Sequence, residues 1–325
     1  MRILFVKTSS LGDVIHNCPA VSDVARAYPG AAIDWVVEEP FAPIAAMHRS
    51  VGRVIPVALR RWRRALWNPA VWSEFAVFRS ALAAQPYDCV LDTQGLLKSA
   101  LVARLAHGTR HGYDRAGARE PLASLLYAQR HAVARDRHAV ERNRLLAAAA
   151  LGYRVEAACD YGLNAARTES SAESRVPSLR EPYCVLLTMT SRADKLWPED
   201  SWAVLCRDLA RRGLQCVLPW GSEDEGARAR RLALDVPGAL VPPQLPITAL
   251  AALMRNARAV IGVDTGLSHL AAALEVPAVG IYCGSDPALT GLYGNAHAVN
   301  VGAPQALPRP KDVIAALEPL WRHPG

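Results

Sequence analysis

The sequence predicts an α/β fold in which two halves each contain a doubly wound parallel sheet, and three observations support this. Short apolar runs, typical of strands buried on both faces, alternate with segments of helical period. A chain of 325 residues is longer than a single hydrophobic core usually supports, and its length suits two domains of about 150 residues each. Residues 164–182 are polar, lack periodicity and contain two prolines, as linkers do. We therefore expect domains at residues 1–165 and 183–308, and a C-terminal helix within 309–325 that packs on one of them.

The composition indicates a globular, basic protein. Hydrophobic residues make up 51% of the chain and charged residues 21%, the mean hydropathy is +0.07 and the formal net charge is +7. No apolar stretch is long enough to span a bilayer, and the first apolar run is too short for a signal peptide. The seven cysteines are odd in number and include no C-x-x-C pair, which favours a reduced cytosolic protein over a disulfide framework or a zinc site. The positive charge by itself fits nucleic acid, an anionic membrane face or an acidic substrate.

The N-terminal half begins with a strand at residues 2–6, and polar side chains follow where this strand ends. Further strands are predicted at residues 33–37, 53–57 and 89–91. Ligand crevices in open α/β sheets form at the carboxyl ends of strands, but the G-x-G-x-x-G pattern of a dinucleotide site is missing from the sequence. Asp13 follows the first strand. It is either a first-turn carboxylate favoured by the helix dipole or a general base, and its spacing leaves both interpretations open.

Cations are concentrated in three further places of this half. Residues 59–72 carry four arginines beside tryptophans, which suits an anionic interface but also a solvated surface helix whose tryptophans pack inward. Lys98 follows the strand at residues 89–91, and Arg115 and Arg119 lie within residues 111–127. Lys98, Arg115 and Arg119 would line the same cleft as Asp13. The alternative for Arg119 is a surface ion pair with Glu120, which would contribute little to stability.

The C-terminal half restarts with a strand at residues 183–187, followed by hydroxyl side chains and Lys195. This arrangement predicts either a phosphate cradle or a capped turn. The next strand, at residues 214–218, precedes three acids, one of which would receive ribose hydroxyls in a nucleotide site. The alternative is that these acids, Glu223, Asp224 and Glu225, are helix-start charges.

Residues 259–282 predict a strand, turn, helix, strand unit. The first strand is buried and breaks at Gly262, Asp264 or Thr265 caps the helix, and a second strand covers residues 278–282. Because unpaired N–H groups and the helix dipole attract anions, we expect a bound phosphate at the start of this helix. The alternative is an ordinary strand-to-helix corner. A last amphipathic helix is predicted at residues 311–321.

Four motifs together resemble glycosyltransferase family 9, the lipopolysaccharide heptosyltransferases: KTSSLGDVIH, DTQGLLKSAL, TSRADKLWP and VDTGLSHLAAAL. The resemblance spans nearly the whole chain. Within the family, the stretches KTSSLGDVIH, IDWVVEE, VIPVALRRWRR and HGYDRAGAREPLASLLY are most similar to the heptosyltransferase I branch, which adds the first heptose to the Kdo region of the inner core. The resemblance implies a GT-B fold, with two Rossmann-like domains facing a central cleft. The acceptor would bind to residues 1–165 and ADP-heptose to residues 183–308.

The resemblance also implies roles for individual residues. Asp13 would be the catalytic base and Lys195 would stabilise the leaving diphosphate. The implied donor-binding residues are Thr190, Ser191, Lys195, Glu225, Leu245, Asp264, Thr265, Gly266 and His269. The implied acceptor-binding residues are Arg60, Arg61, Arg64, Lys98 and Arg119. Ser191 stands where the family commonly has threonine, and Leu245 stands where it commonly has methionine, so a hydroxyl and an apolar adenine contact are kept.

The implied reaction is inverting transfer of L-glycero-D-manno-heptose from ADP-L-glycero-D-manno-heptose to Kdo2-lipid A. No cofactor or metal is expected, since the sequence has no Asp-x-Asp motif for a cation. The implied location is cytoplasmic and peripheral on the inner membrane, whose anionic surface is the expected partner, and no nucleic-acid motif is present. The alternatives are a family 9 enzyme that adds the second or third heptose, a GT-B-like nucleotide-sugar epimerase, and a non-catalytic anion-binding protein.

Overall fold

The computed structural model describes residues 1–156, 158–164 and 175–322. The chain divides into two compact units, Met1–Asn164 and Ala165–Gly325, which are called the first and second units below. Residues 165–174 of the predicted linker lie outside the described residues.

The first unit is a parallel sheet covered by helices. Its strands are β1 (Arg2–Val6), β2 (Ala32–Glu38), β3 (Val51–Val57), β4 (Tyr87–Asp92), β5 (Gly108–Tyr113) and β6 (Gln129–His131). Its helices are α1 (Leu11–Ile15), α2 (Cys18–Ala27), α3 (Ala42–Met47), α4 (Leu59–Trp62), α5 (Pro69–Ala83), α6 (Leu97–Arg104) and α7 (Ala139–Leu151), with 3-10 helices at Glu39–Phe41 and Pro121–Leu126. The strand order is β3-β2-β1-β4-β5-β6.

Strand β1 lies at the point where this strand order reverses. It pairs in parallel with β2 on one side, from Arg2 opposite Ala32, and with β4 on the other, from Ile3 opposite Cys89. Its last four residues are fully buried, as expected of a strand covered on both faces. The chain segments that leave β1 and β4 therefore begin side by side at the carboxyl edge of the sheet, where doubly wound folds bind ligands.

The second unit repeats this architecture with five parallel strands. They are β7 (Tyr183–Leu187), β8 (Gln215–Val217), β9 (Ala259–Val263), β10 (Ala278–Ile281) and β11 (Ala298–Val301), in the order β11-β10-β9-β7-β8. The helices are α8 (Glu199–Arg211), α9 (Glu223–Leu234), α10 (Ile247–Arg255), α11 (Gly266–Ala273), α12 (Pro287–Thr290) and α13 (Pro310–Arg322), with a 3-10 helix at Ala193–Lys195. Here β7 lies between β8 and β9, so the loops after β7 and β9 are neighbours. The predicted α/β class, with a parallel sheet in each half, is confirmed.

The core of the second unit forms between its sheet and helices α8 and α13. Trp197 and Trp202 are fully buried and meet edge to face, with ring centroids 5.0 Å apart. Val313 and Leu317 of α13 join the same cluster, so the C-terminal helix packs on the second unit. Within the described ranges, no helix combines the length and the apolarity needed to cross a membrane.

One local prediction in this unit was wrong. Gly262 does not end β9: the strand continues to Val263, and Gly262 pairs with Gly280 of β10. A Cβ at position 262 would lie 2.3 Å from Ser268 Oγ and 2.9 Å from Leu187 Cβ. Glycine is required here because helix α11 packs closely on the strand, and not because the chain turns.

Candidate functional site

Asp13 lies on α1, directly after the loop that leaves β1. Its Oδ2 accepts hydrogen bonds from the backbone N–H of Ser10, at 3.0 Å, and from Ser10 Oγ, at 3.3 Å. This is the reciprocal half of a helix capping box. The side chain is 15% exposed, so it is largely removed from water. Asp13 is thus a first-turn carboxylate at the carboxyl edge of the sheet, and this place is compatible with both predicted roles.

Arg119 is the ion-pair partner of Asp13. Its Nη1 lies 3.2 Å from Asp13 Oδ2, and its Nη2 donates to Oδ1. Burial by itself would raise the pKa of Asp13, but the charges of Arg119 and Lys7 and the hydrogen bond from Arg119 outweigh it and hold this pKa well below its usual range. Glu120 accepts a hydrogen bond from the backbone N–H of Leu97 at 2.6 Å. The carboxylate that pairs with Arg119 is therefore that of Asp13.

Lys7 is a further charged residue beside Asp13 that sequence reasoning did not assign to the site. Its side chain is 2% exposed, and Nζ donates to the carbonyl of Thr93 at 2.8 Å and to Asn143 Oδ1 at 3.2 Å. Burial lowers the pKa of Lys7 to about 7, against the opposing attraction of Asp13. The position of Lys7 in the KTSSLGDVIH motif indicated a functional role. Its hydrogen-bond partners, Thr93 and Asn143, are far away in sequence, so the motif could not identify them.

The predicted acceptor residues differ in what they contact. Lys98 donates from Nζ to Ser9 Oγ at 3.0 Å, and Arg60 lies over the ring of Phe41 with 5.6 Å between Cζ and the ring centroid. Arg61 instead forms ion pairs with Glu39 at 2.9 Å and Glu74 at 2.8 Å. Arg64 is exposed, beyond the four-residue helix α4. Lys98, Arg60 and Arg64 therefore have donor groups available to an anionic ligand, whereas Arg61 already has two acidic partners.

Three predicted donor residues come together around a fourth, Asp264, which follows β9 directly and is 6% exposed. Lys195 Nζ donates to Asp264 Oδ2 at 2.6 Å, and His269 Nε2 lies 3.5 Å from Oδ1. Thr190 Oγ1 donates to the backbone carbonyl of Asp264 at 2.9 Å. The loops after β7 and β9 are thus joined by hydrogen bonds at the switch point of this sheet.

Ser285, which was not predicted, completes this cluster by donating from Oγ to Asp264 Oδ2. Its loop packs tightly on the 3-10 helix that carries Lys195, since a Cβ on Gly284 would lie 2.5 Å from the carbonyl oxygen of Asp194. Burial would raise the pKa of Asp264, but the hydrogen bonds from His269, Lys195 and Ser285 hold it well below its usual range. Asp264 is therefore an ionised, firmly placed acceptor.

Helix α11 begins beside this cluster at Gly266. Thr265 is its N-cap, but the Thr265 side chain makes no capping hydrogen bond. Thr265 and Gly266 are half-buried, and Ser268 Oγ donates back to the carbonyl of Val263 at 2.7 Å. The helix start thus presents backbone N–H groups and the positive dipole end next to Lys195, which is suitable chemistry for a phosphate.

The remaining predicted donor residues, Glu225, Leu245 and Ser191, belong to the same unit. Glu225 occupies the third position of α9, and its Oε2 accepts from the backbone N–H of Gly221 at 2.7 Å and of Ser222 at 3.3 Å. It is a capping residue, whether or not it also binds ribose. Gln244 donates to the carbonyl of Gly221 at 2.6 Å, which ties the loop of the buried Leu245 to that of Glu225. Ser191 is exposed beside Thr190.

In the part of the chain that the structure describes, no group of three or more histidine, cysteine, aspartate or glutamate side chains is arranged to hold a metal ion.

Comparison with known proteins identifies the family to which the chain belongs. The family model for glycosyltransferase family 9 (heptosyltransferase) matches residues 75–313. The chain is 47% identical to lipopolysaccharide heptosyltransferase 1 of Escherichia coli K12 over 296 residues, covering 90% of this chain and 91% of the relative. It is 48% identical over 305 residues to the protein of the same name from Pseudomonas aeruginosa, covering 93% of this chain and 84% of the relative.

The fold of this chain is also similar to that of a solved relative. The E. coli heptosyltransferase WaaC with ADP superposes with a TM-score of 0.88 at 44% identity, over 98% of this chain and 100% of the other. The predicted GT-B type of fold, with two Rossmann-like units, is confirmed by this match, as is the predicted resemblance to the heptosyltransferases. The chain therefore belongs to glycosyltransferase family 9 and is a heptosyltransferase.

Proposed function

We propose that this protein transfers L-glycero-D-manno-heptose from ADP-L-glycero-D-manno-heptose to the Kdo region of Kdo2-lipid A, with inversion at the anomeric carbon. The observation that carries the proposal is the convergence of Lys195, His269 and Thr190 on Asp264, beside the start of α11. An ionised carboxylate next to a cation and a helix N-terminus provides separate places for sugar hydroxyls and for a diphosphate. Two curated relatives, at 47% and 48% identity, are named lipopolysaccharide heptosyltransferase 1, which supports the proposal.

The donor site would stabilise the leaving group. The Lys195 ammonium has three N–H donors and gives one to Asp264, so two remain for phosphate oxygens. Negative charge on the ADP leaving group grows in the transition state, where Lys195 and the N–H groups at Thr265 and Gly266 would act on it. Asp264 would accept hydrogen bonds from heptose hydroxyls. Because these groups neutralise the leaving diphosphate, the proposed mechanism requires no metal.

The rest of the nucleotide would be held at the edge of the second unit. Glu225 would accept hydrogen bonds from the ribose hydroxyls through Oε1, the carboxylate oxygen that takes no part in the capping hydrogen bonds. Leu245 would contact the adenine, and the Ser191 hydroxyl would donate a hydrogen bond to the diphosphate. A solved relative at 44% identity carries ADP-2-deoxy-2-fluoro heptose, which is consistent with a donor of this class.

The acceptor site would supply the base. Asp13 is kept ionised by Arg119, so it would accept the proton from the acceptor hydroxyl as this hydroxyl attacks the anomeric carbon. The displacement has a single step, since the nucleotide leaves from the opposite face, and this inverts the configuration. Lys98, Arg60 and Arg64, with the remaining donors of Arg119 and one edge of Arg61, would bind acceptor carboxylates and phosphates.

The proposed acceptor is anchored in a membrane, which determines the proposed location. We expect the enzyme in the cytoplasm, peripherally bound at the anionic cytoplasmic face of the inner membrane. The net charge of +7 and the arginines of residues 59–64 support this location. Neither a cofactor nor a nucleic acid has a role in the proposed reaction.

The decisive experiment measures ADP release and the glycosylated product with ADP-heptose and three acceptor conditions. We expect release with Kdo2-lipid A, and background release without acceptor or with an acceptor that already carries the first heptose. Preferential use of the heptosylated acceptor would assign the chain to a later heptose addition. Turnover of the nucleotide sugar without any acceptor would favour an epimerase or hydrolase.

A further inference from the structure

We propose that the first unit docks on an anionic lipid bilayer through two exposed apolar edges that border its cationic acceptor site. The proposal rests on the proposed function, since it identifies the surface from which that site receives a lipid-linked acceptor. The leucine edge consists of Leu97, Leu101, Leu122 and Leu125. The tryptophan edge consists of Leu66, Trp67 and Trp72.

The leucine edge is formed by two short helices packed on each other. Helix α6 and the 3-10 helix Pro121–Leu126 meet through the fully buried Ala100 and Ala123. Four leucines of these two helices face water instead: Leu97 and Leu101 are 39% and 51% exposed, and Leu122 and Leu125 are 63% and 66% exposed. Four exposed leucines on two adjoining helices indicate an interaction surface, whereas isolated exposed leucines would not.

The tryptophan edge follows the arginines of α4. Trp67 is 81% exposed, Trp72 is 59% exposed and Leu66 is 53% exposed. Trp72 Nε1 donates to the carbonyl of Leu66 at 2.8 Å, which keeps these side chains together. Trp62 differs, because it is 7% exposed and donates to Glu74 Oε2 at 2.7 Å. Of these tryptophans, only Trp62 packs inward, and the other two present their rings to solvent.

Both edges border the same group of cations. Lys98 is adjacent in sequence to Leu97, and Arg64 lies two residues before Leu66. Burial lowers the pKa of Lys98, and the positive charges of Arg60 and Arg63 lower it further, so these two arginines lie within electrostatic range of Lys98. Helices α4, α5 and α6 also contribute to one core cluster, so the segments that carry both edges and these cations pack together in the first unit.

A bilayer fits this surface better than a second copy of the chain. Tryptophan and leucine side chains are stable at the depth of lipid headgroups, and arginines beside them attract anionic lipids. A symmetric dimer through the same surface would bring Arg60, Arg63 and Arg64 of two copies together, and like charges oppose such a contact. The shallow insertion of these edges would place the acceptor site at headgroup level.

The test is vesicle flotation with a triple variant, Trp67→Glu, Leu122→Glu and Leu125→Glu. The matched control is Leu234→Glu, which changes an 81% exposed leucine in the second unit. We expect the wild type and the control to float with phosphatidylglycerol-containing vesicles, and the triple variant to bind them at least about tenfold more weakly. Melting temperatures within a few degrees of the wild type would show that the variants fold.

Activity assays with a soluble and a vesicle-embedded acceptor distinguish a failure of this proposal from a failure of the proposed function. The triple variant should use a water-soluble, deacylated Kdo acceptor as well as the wild type does, and lose efficiency only with acceptor embedded in vesicles. Equal flotation of the variant and the wild type, or no flotation of the wild type, would overturn the proposal. A dimer in sedimentation that the triple variant loses would assign the surface to a second copy. Failure of the wild type on both acceptors would contradict the proposed function, while flotation would still decide the membrane surface.

Discussion

Arg119 donates hydrogen bonds to both carboxylate oxygens of Asp13, across 106 residues of sequence. The same carboxylate also caps α1 through Ser10. The pairing maintains a negative charge in a site where burial alone would favour the neutral acid. The helix-start role and the proposed base role of Asp13 are thus combined in one residue, and Arg119 is the positioning residue for both.

Replacing Arg119 with methionine should move the acid limb of the pH–rate profile to higher pH. The pKa of Asp13 is low because the Arg119 charge opposes burial, so removing that charge raises this pKa and protonates the base at a higher pH. We expect a shift of about one pH unit or more in the turnover profile. Arg115→Met, at an exposed position in the same loop, is the control and should leave the profile unchanged. If the acid limb does not shift in Arg119→Met, then Arg119 does not control the protonation of the catalytic base.

Lys195→Ala should reduce turnover more than it changes acceptor binding. The lost ammonium faces the leaving diphosphate in the proposed mechanism, and its effect is greatest when the charge of the leaving group grows. Lys311→Ala, at an exposed lysine of α13, is the control. Steady-state kinetics with both substrates varied provide the test, and a Lys195→Ala enzyme with unchanged kcat would leave Lys195 only a structural role toward Asp264.

Glu225 has a capping role and a proposed ribose-binding role, and two substitutions separate them. Glu225→Ala should raise KM for ADP-heptose and cost about 1 kcal/mol of stability, since the cap of α9 is lost. Glu225→Gln keeps a capping acceptor but loses the carboxylate, so it should raise KM with little loss of stability. Donor KM and melting temperature are measured for both. A normal KM in Glu225→Gln would leave Glu225 as a helix cap alone.

The double substitution Arg60→Glu and Arg64→Glu should weaken binding of the acceptor and leave binding of the donor unchanged. Arg61 is left intact because Glu39 and Glu74 already bind it, and a third acid there would disturb the fold. We expect a higher KM for Kdo2-lipid A and an unchanged Kd for ADP-heptose. Equal losses for both substrates would indicate misfolding or a different acceptor surface.

The fold was predictable because local patterns determine it. The run at residues 183–187 is apolar at every position and is the fully buried strand Tyr183–Leu187. Gly262 was misinterpreted for a related reason. The sequence shows that a glycine is present, but only the packing of Ser268 against it shows why, so a packing requirement was taken for a strand break.

The candidate site was predictable as a set of residues, but not as a set of pairs. Resemblance supplied Asp13, Lys195 and Asp264, and the sheet order of the second unit explains why the loops that carry Lys195 and Asp264 are neighbours. Partners far away in sequence left no periodic signal. Lys7 reaches Asn143, and Ser285 reaches Asp264, through tertiary contacts that only the assembled sheet creates.

Turnover of Asp13→Asn is the most direct test of the central claim, that Asp13 is the base of a heptosyl transfer. The substitution keeps the shape of the side chain and removes its ability to take the proton. Both roles of Asp13 predict some loss of stability, because Arg119 loses an ionised partner, so melting temperature does not decide between them. The matched control is Asp312→Asn, since Asp312 is also a first-turn carboxylate paired with an arginine, Arg309 at 3.1 Å, on α13.

The measurement is single-turnover transfer from ADP-heptose to Kdo2-lipid A, with donor affinity determined on the same preparation. We expect Asp13→Asn to bind ADP-heptose normally and to transfer heptose about 10²-fold more slowly or worse, while Asp312→Asn transfers it at the wild-type rate. A folded Asp13→Asn enzyme with near-normal turnover would exclude Asp13 as the general base.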